Sequence, residues 1–464
     1  MTTQPPVLFP GSSRRVVRAV LLVVLLLSVI RVSGVVRSAQ TSLRGDFAAT
    51  LPGAYAEKLN PRLWDSEDLR GSWGFHQRLY LYGPTQYLTL YPIVFLNSYA
   101  QIAKVLLFSY TVVLGWAFYL IWRVISAGRR ADIPVLILVA AISFLFFPLL
   151  QAYGQREFEI VAFFFLVAGT YLLITGREGS AGALFGYITW FKLWPIVFLG
   201  YFLVKRQYKA SAMFVVASCL TLGVAHVLFG LDRFTLLNPE LIATLPGPHP
   251  EFYAKGLLPK FEPASFVHEG VDLVGTTGKG FCEGWVTPQT TMVSVRWAVC
   301  GLAYSHDWFL RAPVVFYGLS LILALAAALG FALAERRSDL GADERKFRIV
   351  WEVSLLTIGA ALMLRAHYHY FIYLTLPITA LAYQFAVTRA WVKLGWLASA
   401  YALLTAFVLP VSLSSRILGI DFWAFYTSHV LYLYGVLLLV GLLLWEYVAI
   451  GLRRAGGGPA DVQA

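Results

Sequence analysis

A few side chains in this 464-residue chain have both the right chemistry and an unusual setting. Asp46 stands in "SLRGDFAATL" (42–51), just past the first long apolar run, with Arg44 two residues before it. A carboxylate there is suited to take a proton from a hydroxyl; the plainer alternative is a solvated charge neutralised by Arg44. Lys192 lies in "WFKLWP", surrounded by apolar residues. An ammonium in such surroundings is costly and marks a counter-ion or a pathway, with a phosphate as its natural anionic partner. Snorkelling to the interface is the competing explanation. "RAHYHYFIYLTLP" supplies Arg365, His367 and His369. Histidines two apart do not share a helix face, and no Cys, Asp or Glu stands nearby to complete a metal site. One of the two histidines binding an anion, with Arg365 adding charge, is set against an aromatic belt that merely contains histidine. In "YGQRE", Gly154 and Gln155 read as the tip of a short turn, with Gln155 a weaker polar contact. Glu157 and Glu159 open the next span, where carboxylates suit a helix N-terminus, and read as structural.

These residues must be positioned by membrane-spanning elements. The chain is 58% apolar and 16% aromatic, and only 13% charged, about half the charge of a soluble domain. Its apolar runs are Val16–Val36, Ile102–Trp122, Ile133–Leu150, Phe158–Thr175, Ser211–Leu231, Val314–Ala334, Val350–Leu364, Phe371–Val387, Leu394–Val411 and Tyr426–Ile450. Each approaches the length needed to cross about 30 Å of hydrocarbon. The formal charge of +12 would suit nucleic acid, but the basic residues cluster in short loops between apolar runs, where they set orientation. No nucleic-acid partner is expected. The first run follows Arg14, Arg15 and Arg18 and is longer than a usual signal core. It reads as an uncleaved anchor with a cytoplasmic N-terminus.

The basic loops at 123–130, 205–209, 335–348, 389–393 and 451–454 are assigned to the cytoplasm. Segment 181–204, "AGALFGYITWFKLWPIVFLGYFLV", lies between two such loops, so a single crossing would break the scheme. Pro195 stops regular helix, and broken helices at depth survive only against protein or a wet cavity. A hairpin with its turn near Lys192 and Pro195 is therefore expected. The result is an all-α polytopic membrane protein, a bundle of about 12 transmembrane helices with two large outer loops. It divides into a cytoplasmic N-terminus and anchor (1–36), a first outer loop with interfacial helices (37–101), spans including the hairpin (102–231), a second outer loop (232–312), C-terminal spans (313–450) and a cytoplasmic tail (451–464). Asp46, Gln155, Lys192, His367 and His369 all fall on the outer face. Tyr80, Tyr82, Tyr87 and Tyr91 recur among leucines and prolines, which suits an interface and places Tyr82 as a further substrate contact.

Other motifs exclude functions. "DSED" (65–68) is a solvated turn in a polar loop, and the glycine runs "VGTTGKGF" and "AGGGPA" lack the pattern and strand–helix context of a phosphate-binding loop. Cys219, Cys282 and Cys300 fit neither a zinc site nor a disulfide framework. Cys282 and Cys300 share one loop and would pair, or stay free, according to the compartment it faces.

With "GDF…AYAEKLNP" and "YGPTQYLTLYPIVFL", "YGQREFEIVAFFFLVAGTYLL", "GALFGYITWFKLWPIVFL" and "HYHYFIYLTLPI" in this order, the chain resembles glycosyltransferase family 87. That family comprises integral-membrane enzymes of the GT-C superfamily that depend on polyprenyl-phosphate sugars. The resemblance spans roughly residues 40 to 380. It implies a GT-C-like bundle in the plasma (inner) membrane, with an active site facing the periplasm or cell exterior. It also implies transfer of a sugar, mannose or else arabinofuranose, to a cell-envelope glycan or glycolipid. Asp46 would be the general base of an inverting displacement. Lys192, Arg365, and His367 or His369 would bind the donor phosphate, with Gln155, Arg44 and Tyr82 as lesser contacts. The implied partners are the polyprenyl-phosphate sugar, the acceptor and membrane lipids, with no cofactor and no metal. The chain departs from the family pattern at "MLRAHYH", at Arg156 and Glu157, and near "TPQTTMVSVRW". A transporter or flippase for lipid-linked sugars is the alternative; it too needs broken helices, but would show internal repeats, and none is found.

Overall fold

The computed structural model of the chain describes residues 83–96, 99–126, 146–155, 157–231, 311–335, 341–363, 368–405 and 431–452, with a few isolated positions besides. Among these residues every regular element is helical. α1 (Pro84–Leu90) runs into a 3-10 turn at Tyr91–Phe95, followed by α2 (Tyr99–Ser126), α3 (Phe147–Gln155), α4 (Glu159–Ile174) and α5 (Glu178–Lys192). A 3-10 turn at Trp194–Ile196 leads to α6 (Val197–Val204), α7 (Tyr208–Phe229), α8 (Ala312–Glu335) and α9 (Ala342–Met363). A longer 3-10 stretch, Tyr368–Leu374, precedes α10 (Thr375–Val387), α11 (Trp391–Thr405) and α12 (Leu431–Leu452).

Among the described residues, five helices are long and apolar enough to cross a membrane: Lys104–Ser126, Tyr208–Phe229, Val314–Ala332, Tyr370–Val387 and Leu431–Ile450. Glu159–Ile174 and Trp194–Val204 are apolar but shorter. The expected total of about 12 is not confirmed among the described residues. Hydropathy alone treats an apolar run as a span, whereas some runs fold as shorter pieces and others lie outside the described residues, including most of Val16–Val36.

The packing is built around α5. α4 is apolar on all sides, as a helix enclosed by others must be, and most of it is buried. α4 and α5 are joined by a tight turn in which Gly176, at φ +76°, takes the left-handed conformation that glycine adopts at little cost. Against α7, α5 makes its closest contact. Gly182 faces the carbonyl of Ala210, and Gly186 that of Phe214. Trp190 Nε1 donates to Ser218 O at 3.0 Å, and Ser218 Oγ donates to Gly186 O at 2.9 Å. The partners advance in step along both helices, so α5 and α7 run parallel. A Cβ at Gly182 or Gly186 would stand 2.1 or 2.2 Å from those carbonyl oxygens; glycine is what lets the two backbones meet.

Residues 181–204 form two arms. The chain turns at Leu193, and Phe185 on one arm stacks on Phe198 of the other with ring centroids 4.1 Å apart, and lies 5.9 Å from Phe202. A continuous helix would hold residues 185 and 202 about 25 Å apart, so α6 must run back along α5. The next turn, at Lys205–Gln207, sends α7 in the original direction.

Side-chain contacts gather the basic turns at one end of the bundle. Lys346 at the start of α9 donates to the Ile125 carbonyl at the end of α2. Lys205 reaches Glu352 on α9, Tyr447 on α12 donates to the same carboxylate, and Arg123 donates to Tyr171 near the end of α4. The opposite end carries α1, the start of α4, the tip of the α5–α6 arms and the stretch Tyr368–Leu374. Large apolar side chains point outward along the bundle, among them Phe108, Leu220, Val227, Leu321 and Trp445, as a lipid-facing wall requires.

A candidate donor-phosphate site at the hairpin tip

Lys192 is the last residue of α5, and Leu193 behind it adopts φ +58°. That left-handed conformation costs a residue with a Cβ about 1–2 kcal/mol, and here it ends the helix so that the lysine sits at the tip. The Lys192 ammonium forms a salt bridge with Glu159 in the first turn of α4. It also lies 3.6 Å from the centroid of the Tyr370 ring and 5.0 Å from that of Phe191, both within cation–π reach. Glu157 is close enough to act on it electrostatically.

The pair is asymmetric. The Lys192 side chain is 15% exposed and that of Glu159 is 1% exposed. Aromatic rings of the neighbouring residues pack in pairs: Phe158 lies 4.8 Å from Phe191, and Trp194 lies 4.9 Å from Tyr373. A buried carboxylate is thus paired with a lysine whose side chain keeps a small exposure. Water exclusion of this kind strengthens the ion pair, so an incoming anion meets a cation already paired with Glu159.

α1 braces the tip from another direction. Gly83 N donates to the Phe191 carbonyl at 3.3 Å, Thr85 Oγ1 donates to the Tyr187 carbonyl, and Thr89 Oγ1 hydrogen-bonds the Tyr187 hydroxyl at 2.7 Å. Tyr87, expected at the membrane interface, is instead 2% exposed and packs against Phe234. Its hydroxyl had suggested a wet setting, but helix-to-helix burial prevails. The Gln86 side chain is buried too, and its amide oxygen has no hydrogen-bond partner among the described residues.

The other sequence-derived residues fall as follows. Gln155 is the last residue of α3, so Gly154 is helical and not the tip of a turn; the reversal comes one step later, where Glu157 N donates to the Ala152 carbonyl. His369 belongs to the 3-10 stretch that packs on α3 and α4, next to Tyr370. Lys192, the end of α3 and the stretch bearing His369 therefore share one end of the bundle. Asp46, Arg44, Tyr82, Arg365 and His367 lie outside the described residues, as do Cys282 and Cys300. Among the described residues no group of three or more His, Cys, Asp or Glu could hold a metal ion.

Two residues of the site were not recognised from sequence: Glu159, read only as a helix-start carboxylate, and Tyr370. A signal for Glu159 was present. Successive antiparallel helices of similar length bring the start of one beside the end of the next, and a lysine among apolar residues needs a counter-charge.

The architecture is that of a polytopic helical membrane protein with a cationic group at the tip of a buried hairpin. The model of glycosyltransferase family 87 matches residues 80–246, a stretch that runs from α1 past α7 and contains the Lys192–Glu159 pair. The resemblance carried by the sequence motifs is thereby supported over these residues, which are similar to glycosyltransferase family 87. No protein of curated function and no solved structure matches the chain.

Proposed function

We propose that this enzyme moves a sugar, mannose in the first instance and arabinofuranose next, from a polyprenyl-phosphate donor to a cell-envelope glycan or glycolipid. The reaction takes place at the bundle end that carries Lys192, on the outer face of the plasma membrane. The observation that carries this reading is the partly exposed Lys192 side chain at the hairpin tip, beside the histidine-bearing stretch and within the segment that matches the family. A lipid phosphate has its anion at the membrane boundary and its chain in hydrocarbon, and this setting suits both parts.

The acceptor hydroxyl oxygen attacks the anomeric carbon as Asp46 takes the hydroxyl proton. The bond from that carbon to the phosphate oxygen breaks, its electron pair leaves on the polyprenyl phosphate, and the anomeric centre inverts. Lys192, with Arg365 and one of His367 and His369, stabilises the charge that grows on the leaving phosphate. Gln155, Arg44 and Tyr82 contribute secondary contacts to donor or acceptor.

The test is incubation of purified enzyme with radiolabelled polyprenyl-phosphate sugars, one at a time, with a glycolipid acceptor. Transfer from one of them, with inverted stereochemistry, is the expected result. Translocation of the lipid-linked sugar without transfer would replace this reading with that of a flippase.

A further inference from the structure

Lys192 is not an isolated cation waiting for a ligand; it is already held by a carboxylate. We infer that Glu159 is a positioning residue that exchanges Lys192 with the lipid phosphate during each turnover, giving it up to the donor and reclaiming it as the product leaves. This inference rests on the donor-phosphate role proposed above for Lys192.

The argument begins with the reaction's change in charge. The donor is a phosphodiester with one negative charge. The product is a phosphomonoester, which carries about 1.5 to 2 negative charges near neutral pH, as phosphorylated side chains do. A bare buried lysine would hold the product more tightly than the substrate, and release would limit turnover. A fixed internal anion counters this, because the ammonium that loses its phosphate is re-paired at once and is never left alone in an apolar pocket.

The geometry suits such an exchange. Glu159 is anchored in the first turn of α4 and is 1% exposed, so it remains in place, while the lysine stem is flexible and its side chain is 15% exposed. The ring of Tyr370 lies under the ammonium at 3.6 Å and contacts it in a way that needs no anion. The left-handed Leu193 fixes the base of the stem, so motion is confined to the side chain. Glu157, 3% exposed and acting on the same ammonium, adds negative charge nearby.

The experiment compares wild type with Glu159→Gln for donor KM, kcat and inhibition by polyprenyl phosphate. Glu159→Gln keeps the shape and removes the competing charge. The expected result is a donor KM about 3–10-fold lower, inhibition by polyprenyl phosphate about 10-fold stronger, and a reduced kcat. A purely structural role would lower activity without tightening product inhibition, and that outcome would overturn the inference. If Glu159→Gln does not fold, Glu159→Asp retains the charge at longer reach, and the same shift in inhibition, smaller in size, is expected; unchanged inhibition would again overturn it. Lys192→Ala separates the two proposals. If that variant retains full donor affinity, the phosphate role of Lys192 fails. If it loses affinity while Glu159→Gln leaves product inhibition unchanged, only the exchange fails.

Discussion

The hairpin carries a lysine at each end, and each is paired with a glutamate, yet the two pairs are built differently. At the tip, Lys192 meets Glu159 with the rings of Tyr370 and Phe191 beside it, and the lysine side chain is 15% exposed. At the base, Lys205 Nζ lies 2.8 Å from Glu352 Oε1, with side-chain exposures of 3% and 0%. Tyr201 donates to the second carboxylate oxygen at 2.8 Å, Tyr447 donates to the first at 3.2 Å, and Arg348 Nε stands 3.8 Å away. The base pair ties α6, α9 and α12 together and has its oxygens filled by protein. The same two residue types form a fully enclosed pair at the base and a pair with a partly exposed lysine at the tip.

Substitutions can break this contrast or sharpen it. The largest effect is expected at the proposed general base. Asp46→Asn should lower turnover about 10³–10⁴-fold while donor binding, measured with radiolabelled lipid, stays near wild type; normal turnover would remove Asp46 from the chemistry. Lys192→Ala follows, with kcat/KM down about 10²–10³-fold as for loss of one transition-state donor, and a weaker apparent donor affinity. Glu352→Gln leaves Lys205 buried without its partner, at a cost of about 3–5 kcal/mol. Thermal melting in detergent should show this, with the specific activity of the folded fraction unchanged. If that variant instead loses donor affinity at wild-type stability, the two ends are not separate in function.

A third pair calibrates the staple. Lys393 Nζ lies 2.6 Å from Glu446 Oε1, and Gln384 Nε2 donates to the other oxygen at 2.7 Å. The lysine side chain is 29% exposed, so water can take over part of its role. Lys393→Met should cost only about 1–2 kcal/mol, between surface and buried pairs. A melting shift equal to that of Glu352→Gln would show that exposure is not what grades these contacts.

The basic turns illustrate how far the sequence could be read. Lys205, Lys346 and Lys393 were read as orientation signals in cytoplasmic loops, and their shared location at one end of the bundle agrees with that pattern. All three, however, also bond inward: to Glu352, to the Ile125 carbonyl and to Glu446. A charge count along the chain registers the sign of a loop but not the direction of a side chain. The contact of Gly182 and Gly186 with α7 was likewise not anticipated. A glycine spacing on one helix acquires meaning only when a particular neighbour presents its backbone there.

Span-length apolar runs, the loops between them and the break at Lys192–Pro195 are legible along the chain, because hydrocarbon thickness, charge and the missing proline donor act through local composition. The family motifs are legible for a similar reason, since they are read in order along one dimension. Which carboxylate meets which lysine is a different kind of property. To the membrane, apolar helices of similar length are nearly interchangeable, so their neighbours are chosen by close fits such as Gly186 against Phe214. Those fits bring Glu159, 33 positions upstream, against Lys192, and leave that lysine slightly exposed while burying Lys205.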